Sequence, residues 1–154
     1  MIEHSSLRNA ESLIRFGAEK LSSISNVPRL EAEVLLSNLL KINPIMFHTD
    51  DIGISSKIMD KFESMIESRF KGMPIAYLIG KKEFWSLDFE INPSVLVPRP
   101  ETELLIENAI ELLKDHESPR ILELGTGSGI ISIVLYKELV NPEITATDIS
   151  DEAL

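Results

Sequence analysis

A chain of 154 residues with 44% apolar side chains can bury a real core, as one average domain or two small ones. A formal charge of -10 argues against a general nucleic-acid or anionic-membrane surface. The absence of cysteine excludes disulfides, thiolate zinc sites and a cysteine nucleophile, and His4, His48 and His116 are too far apart in sequence to form a ligand spacing, so no metal is expected.

No apolar run approaches the ~20 residues that span a bilayer, and the first residues, MIEHSSLRNAES, lack the basic-then-apolar layout of a signal peptide. A cytoplasmic protein without a membrane partner is therefore expected. Along the chain, Leu7, Ala10, Ile14, Leu21 and Ile24 fall on one helical face. Pro28, in a first-turn position after Asn26 as a possible cap, opens a second helix, RLEAEVLLSNLLK, with Leu30, Val34, Leu35 and Leu39 on one side. NPIMFHTDD reads as a turn and a short helix. SSKIMDKFESMIESRFKG then places Ile58, Phe62, Met65, Ile66 and Phe70 on one stripe that Gly72 ends. Residues 1–72 are thus expected to form a small helical bundle.

The texture changes after Gly72. KKEFWSLDFEINPSVLVPRP, with β-favouring residues and three prolines, predicts a hairpin-like connector over 73–98 that runs into extended chain. From residue 99 the order is helix (about Glu101 to Lys114, with Leu104, Leu105, Ile110 and Leu113 available for burial), strand (RILEL), glycine loop, helix (about Ile130 to Leu139) and strand (EITATD). That order begins a parallel α/β sheet. DISDEAL reads as a cap and the first turn of another helix. Because two parallel strands cannot cover both faces of a sheet, 99–154 is expected to be an incomplete domain.

Gly125, Gly127 and Gly129 sit between the strand and the helix, where absent side chains let a ligand approach backbone amides at a helix amino end. An ordinary tight turn is the simpler reading of the same glycines. A dinucleotide fingerprint starting at Gly125 needs glycine at 130, where this chain has Ile130, and no Gly-Lys-Ser/Thr follows for a P-loop. What stands there is E-x-G-x-G-x-G, from Glu123 to Gly129, a form similar to motif I of class I S-adenosylmethionine methyltransferases. Asp148, 19 residues after Gly129 and at the end of the next strand, stands where such folds hold a ribose hydroxyl pair, although it can also serve only to cap the following helix.

Together, GMPIAYLIGKKEFWSLDFEINPSVLVPRPETELLIE (72–107) and ILELGTGSGIISIVL (121–135) resemble the PrmC/HemK family, the peptide chain release factor glutamine methyltransferases. The likeness extends over essentially the whole chain, RLEAEVLL included. It implies a fold of α plus α/β type, in which a helical bundle and a β-hairpin connector lead into the first part of a Rossmann-like class I S-adenosylmethionine methyltransferase domain. It implies S-adenosyl-L-methionine as cofactor, and as reaction the N5-methylation of the glutamine in the Gly-Gly-Gln motif of release factors during translation termination. By position, Gly125, Thr126, Gly127, Ser128 and Gly129 would form the cofactor loop, Asp148 would hold the ribose and Glu123 would lie near the cofactor's amino group. Pro98, Arg99, Pro100, Glu101, Thr102 and Glu103 match the family's P-R-P-[DE]-T-E element beside the pocket, with Phe84 and Trp85 as further family-like positions.

The family's Asn-Pro-Pro-Tyr acceptor motif does not occur: Asn43-Pro44, Asn92-Pro93 and Asn141-Pro142 are followed by Ile, Ser and Glu. No catalytic residue is therefore expected in these 154 residues, which read as a truncated enzyme that is inactive alone. The bundle would contact the release factor's Gly-Gly-Gln domain, and a monomer without direct nucleic-acid contact is expected. Three other readings remain open on the residues: a DNA, RNA or other protein N-methyltransferase of the same class, a dinucleotide oxidoreductase, and a non-catalytic release-factor-binding fragment.

Overall fold

The computed structural model describes residues 9–48 and 51–154; Leu7 of the first predicted helix, His4, and Thr49 and Asp50 of the NPIMFHTDD stretch lie outside them. The chain divides into two compact units, 1–79 and 80–154.

The first unit is helical: α1 (Ala10–Leu21), α2 (Pro28–Leu40), a short 3-10 helix (Pro44–His48), α3 (Ser56–Phe70) and α4 (Ile75–Ile79). Asn9 caps α1 by accepting from the Ser12 backbone N–H, and Ser55 caps α3 by accepting from that of Ile58. The cap position of α2 is Val27 rather than Asn26, with no side-chain cap bond. Pro28 in the first turn removes one N–H that would otherwise need a partner.

Its core joins Leu13, Ile14 and Leu21 of α1, Ala32, Leu35 and Leu36 of α2, and Met59, Phe62 and Ile66 of α3. Each large apolar side chain buried in this way contributes roughly 1.5–3 kcal/mol. α1 approaches closely because Gly17 lacks a side chain: a Cβ there would lie 2.9 Å from Ile66 Cδ1 and 3.0 Å from both Ala32 Cβ and Phe62 Cζ. Leu30, expected on the buried side of α2, is exposed, while Leu36 takes the core position. Around this core Arg69 of α3 grips Glu31 of α2 through two bonds of 2.9 and 3.0 Å.

Residues 73–79 belong to this unit rather than to extended connector. Pro74 starts the short α4, its carbonyl accepting from Tyr77 and Leu78, and Ile75, Leu78 and Ile79 pack on the helical core.

The second unit opens with an antiparallel hairpin, β1 (Lys81–Phe84) and β2 (Leu87–Glu90), pairing Phe84 with Leu87 and Lys81 with Glu90. Only Trp85 and Ser86 form the turn, both left-handed at φ 54° and 56°, which matches the right-handed twist of the strands at a steric cost to each residue. The rings of Phe84 and Phe89 meet edge to face, 6.5 Å between centroids.

After the hairpin come α5 (Glu101–Leu113), β3 (Arg120–Leu124), α6 (Ile130–Glu138) and β4 (Glu143–Thr147). β3 and β4 are parallel, with Ile121 beside Ile144 and Leu124 beside Thr147. On α5 the buried side chain is Ile106, whereas Leu104 and Leu105, which the sequence offers for burial, are 62% and 52% exposed. The helix is apolar on more than one side, so its pattern does not identify the face that packs. Residues 151–153, expected to begin a helix, form a turn closed by the Ala153 N–H on the Ser150 carbonyl.

Candidate cofactor loop

The loop between β3 and α6 turns through three left-handed glycines, Gly125, Gly127 and Gly129, at φ 76°, 54° and 73°. A β-carbon at any of them is strained by that backbone alone. Space above the loop is open as well: a Cβ on Gly125 would meet nothing within 4 Å, and on Gly127 only Val95, at 4.0 Å. A ligand can therefore lie directly on the backbone.

Two carboxylates hold the loop in place. Asp148, following β4, accepts from Gly127 N–H at 2.8 Å through Oδ2 and from Ser150 N–H at 2.9 Å through Oδ1. The Ser150 and Gly127 amides hold its carboxyl below the usual carboxylate range, because both bonds favour the charged form. The structure thus shows Asp148 as a local cap that also braces the loop.

Glu123, near the end of β3, turns back over the loop. Its Oε2 accepts from Thr126 Oγ1 at 2.9 Å, from Ser132 N–H at 3.1 Å and from Ser132 Oγ. The cap residue of α6 is Gly129, which has no side chain to cap with, so Glu123 satisfies an otherwise orphaned helix donor from the preceding strand. A third brace comes from the main chain: the Thr147 carbonyl accepts from Gly125 N–H at 2.8 Å and from Thr126 N–H at 2.9 Å.

A hollow of about 140 Å³ lies over this loop, lined by residues that include Leu96, Pro98, Thr102, Glu123, Ser128 and Ile131. Of the P-R-P-E-T-E element, Pro98 and Thr102 reach it. Arg99 and Pro100 instead use their carbonyls to accept from Thr102 and Glu103 N–H as α5 begins, with Glu101 its first residue. Phe84 does not line this hollow. It borders a larger one, about 620 Å³, with Trp85, Glu103 and Glu138, where the Trp85 indole N–H donates to Glu138 at 2.8 Å. The larger hollow touches none of the loop residues, whereas Gly125, Thr126 and Gly127 all border the smaller one.

Sequence spacing brought Gly125 to Gly129, Glu123 and Asp148 to one place but missed Ser132 and Thr147. Ser132 is the third residue of α6, a position at which a hydroxyl gives no signal of its own unless the cap residue is known to be glycine.

The family model of the PrmC N-terminal domain matches residues 12–80. The chain is 41% identical over 138 residues to a release factor glutamine methyltransferase of Coxiella burnetii, covering 89% of this chain and 50% of that protein. It is 38% identical over 146 residues to one from Nitratidesulfovibrio vulgaris (94% and 49%) and 36% identical over 134 residues to one from Xylella fastidiosa (86% and 49%). The chain spans about half the length of these curated relatives. A PrmC N-terminal domain over 12–80 and an alignment that continues through the glycine loop make the chain similar, over both units, to release factor glutamine methyltransferases.

Proposed function

We infer that this chain carries the amino-terminal recognition unit and the cofactor-binding start of a Rossmann-like S-adenosylmethionine-dependent methyltransferase, whose whole protein methylates the side-chain amide nitrogen of the Gly-Gly-Gln glutamine in release factors. The relatives' alignment over both units, 138 residues in one case, supports this reading most.

The residues present fit the cofactor. The backbone of Gly125 and Gly127 is open to a flat nucleoside, and the Asp148 carboxylate has acceptor capacity beside its amide bonds for a ribose hydroxyl pair. The bonds to Glu123 fall on Oε2, which leaves Oε1 to accept from an ammonium group. Leu96, Pro98 and Ile131 supply the apolar wall. Bound there, the cofactor supplies an electrophilic methyl group on a sulfonium.

The acceptor is the difficult partner. An amide nitrogen is a weak nucleophile because its lone pair is delocalised into the carbonyl, so catalysis consists of holding its hydrogens and aiming the nitrogen. By family resemblance an Asn-Pro-Pro-Tyr element does this, and these 154 residues contain none. Calorimetry should therefore detect S-adenosylmethionine, and not a nicotinamide dinucleotide, binding to the chain. A release factor should be methylated by a protein that also carries an Asn-Pro-Pro-Tyr segment, and not by the chain alone. Preference of the chain for the dinucleotide refutes the cofactor assignment, and methylation of Gly-Gly-Gln by the 154-residue chain refutes the need for that further segment.

A further inference from the structure

Loops that bind phosphate keep their amide protons free for it, at the positive end of a helix dipole. The glycine loop here has most of them already taken. Of the eight N–H groups from 125 to 132, five are already bonded inside the protein. Those of Gly125 and Thr126 go to the Thr147 carbonyl, that of Gly129 to the Thr126 carbonyl, that of Gly127 to the Asp148 carboxylate and that of Ser132 to the Glu123 carboxylate. The amino end of α6 therefore already holds an anion, and that anion is covalently part of β3.

We propose that Glu123, held by Ser132 and acting with Asp148, is the specificity determinant that closes this loop to phosphate-bearing nucleotides and reserves it for a nucleoside without phosphate. The inference rests on the cofactor reading above and adds to it the means of discrimination. A phosphate approaching the loop meets two carboxylates, which already occupy the Gly127 and Ser132 amides. A sulfonium nucleoside carries no negative group to the loop other than its carboxylate tail, and so escapes most of that repulsion. The same residue repairs the fold, since Gly129 leaves α6 without a cap of its own.

The test is an amide chemical-shift titration of the 154-residue chain with inorganic pyrophosphate, repeated with ADP. Wild type should show no saturable shifts at residues 127–132. Glu123→Gln keeps the volume and an acceptor for Ser132 but loses the charge, and Glu123→Ala loses both. Each should gain saturable shifts there, with affinity at least roughly tenfold above wild type, since like charges brought together cost that much or more. Ser132→Ala retains the carboxylate and the backbone donor and should behave as wild type. Glu123→Gln guards against fraying of α6 in the alanine variant. Saturable pyrophosphate binding by wild type, or no gain in either Glu123 variant, overturns the proposal. S-adenosylmethionine titrated into the same sample tests the cofactor reading separately: its failure to shift residues 125–129 counts against that reading, while the pyrophosphate series decides this one.

Discussion

Replacing Gly17 by alanine sets two effects of opposite sign against each other in the middle of α1. Alanine is the better helix former by about 1 kcal/mol, so an exposed glycine at this point would gain stability from the change. Gly17, however, is buried against two other helices, and the new methyl would sit 2.9 Å from Ile66 Cδ1 and 3.0 Å from Ala32 Cβ and Phe62 Cζ. The Ile66 methyl can swing aside at modest cost. Ala32 Cβ cannot, because it is fixed to the backbone of α2, and Phe62 is fully buried. Relief requires α1 to move away from α2, the kind of overpacking that costs about 1–3 kcal/mol. Three contacts at 3.0 Å or less put the cost in the upper part of that range, about 2–3 kcal/mol, so with the propensity gain subtracted Gly17→Ala should destabilise the helical unit by about 1–2 kcal/mol and lower its melting temperature by about 4–15 °C. Urea and thermal unfolding of the chain, followed by circular dichroism, measure it. Ile66→Val removes the Cδ1 contact, so the double variant should lose less than the sum of the two single changes. Melting of Gly17→Ala at or above wild type would show that the helices are not in close contact there.

Arg69→Gln strips a bidentate partner from Glu31, whose side chain is only 15% exposed, and should cost about 1–3 kcal/mol in urea unfolding. Lys114→Gln breaks the exposed pair with Glu111 and should stay within about 0.5 kcal/mol; equal effects of the two would contradict the burial argument. Asp148 titrates below the usual carboxylate range in the folded chain, so its contribution is present above the unfolded pKa and is lost as pH falls through the folded one. The Gly127 amide shift should accordingly hold steady at neutral and mildly acidic pH and titrate with a midpoint below about 3.9. A midpoint at or above that value would mean the Asp148 bonds do not form in solution.

What the sequence made legible depended on how many residues shared one physical constraint. The long helices and the β3–α6–β4 order rest on periodicities repeated over many positions. α4 does not: Ile75–Ile79 is a single turn and a half, made of residues that also suit a strand. The hairpin was legible as a hairpin but not in register, because its two left-handed turn positions hold Trp85 and Ser86 where Asn-Gly would have marked them. On α5, Ile106 could not be told from its exposed apolar neighbours by spacing. At the loop, three glycines and an acid at the next strand's end are a long-range coincidence, visible in one dimension. The Glu123 bond to Ser132 depends on which way a carboxylate turns, and spacing carries no such information.

Glu123 also shows why ligand loss at this loop is a poor reporter of ligand contact. Gly125, Gly127 and Gly129 open the backbone, but the same absence of side chains leaves α6 uncapped and the loop without its own anchors. Strand-borne groups make up the deficit: Glu123 from β3, and Thr147 and Asp148 from the end of β4. On the proposed reading, a change at Asp148 would remove a ribose acceptor and also loosen Gly127, and weakened cofactor binding cannot separate the two. Thr147 does separate them. It touches the loop through its carbonyl, with its hydroxyl donating to the Glu123 carbonyl at 3.1 Å, so side-chain replacement there perturbs the bracing and leaves both carboxylates in place. If Thr147→Val weakens S-adenosylmethionine binding as much as Asp148→Asn does, Asp148 acts by holding the loop; if only Asp148→Asn weakens it, Asp148 acts on the ribose.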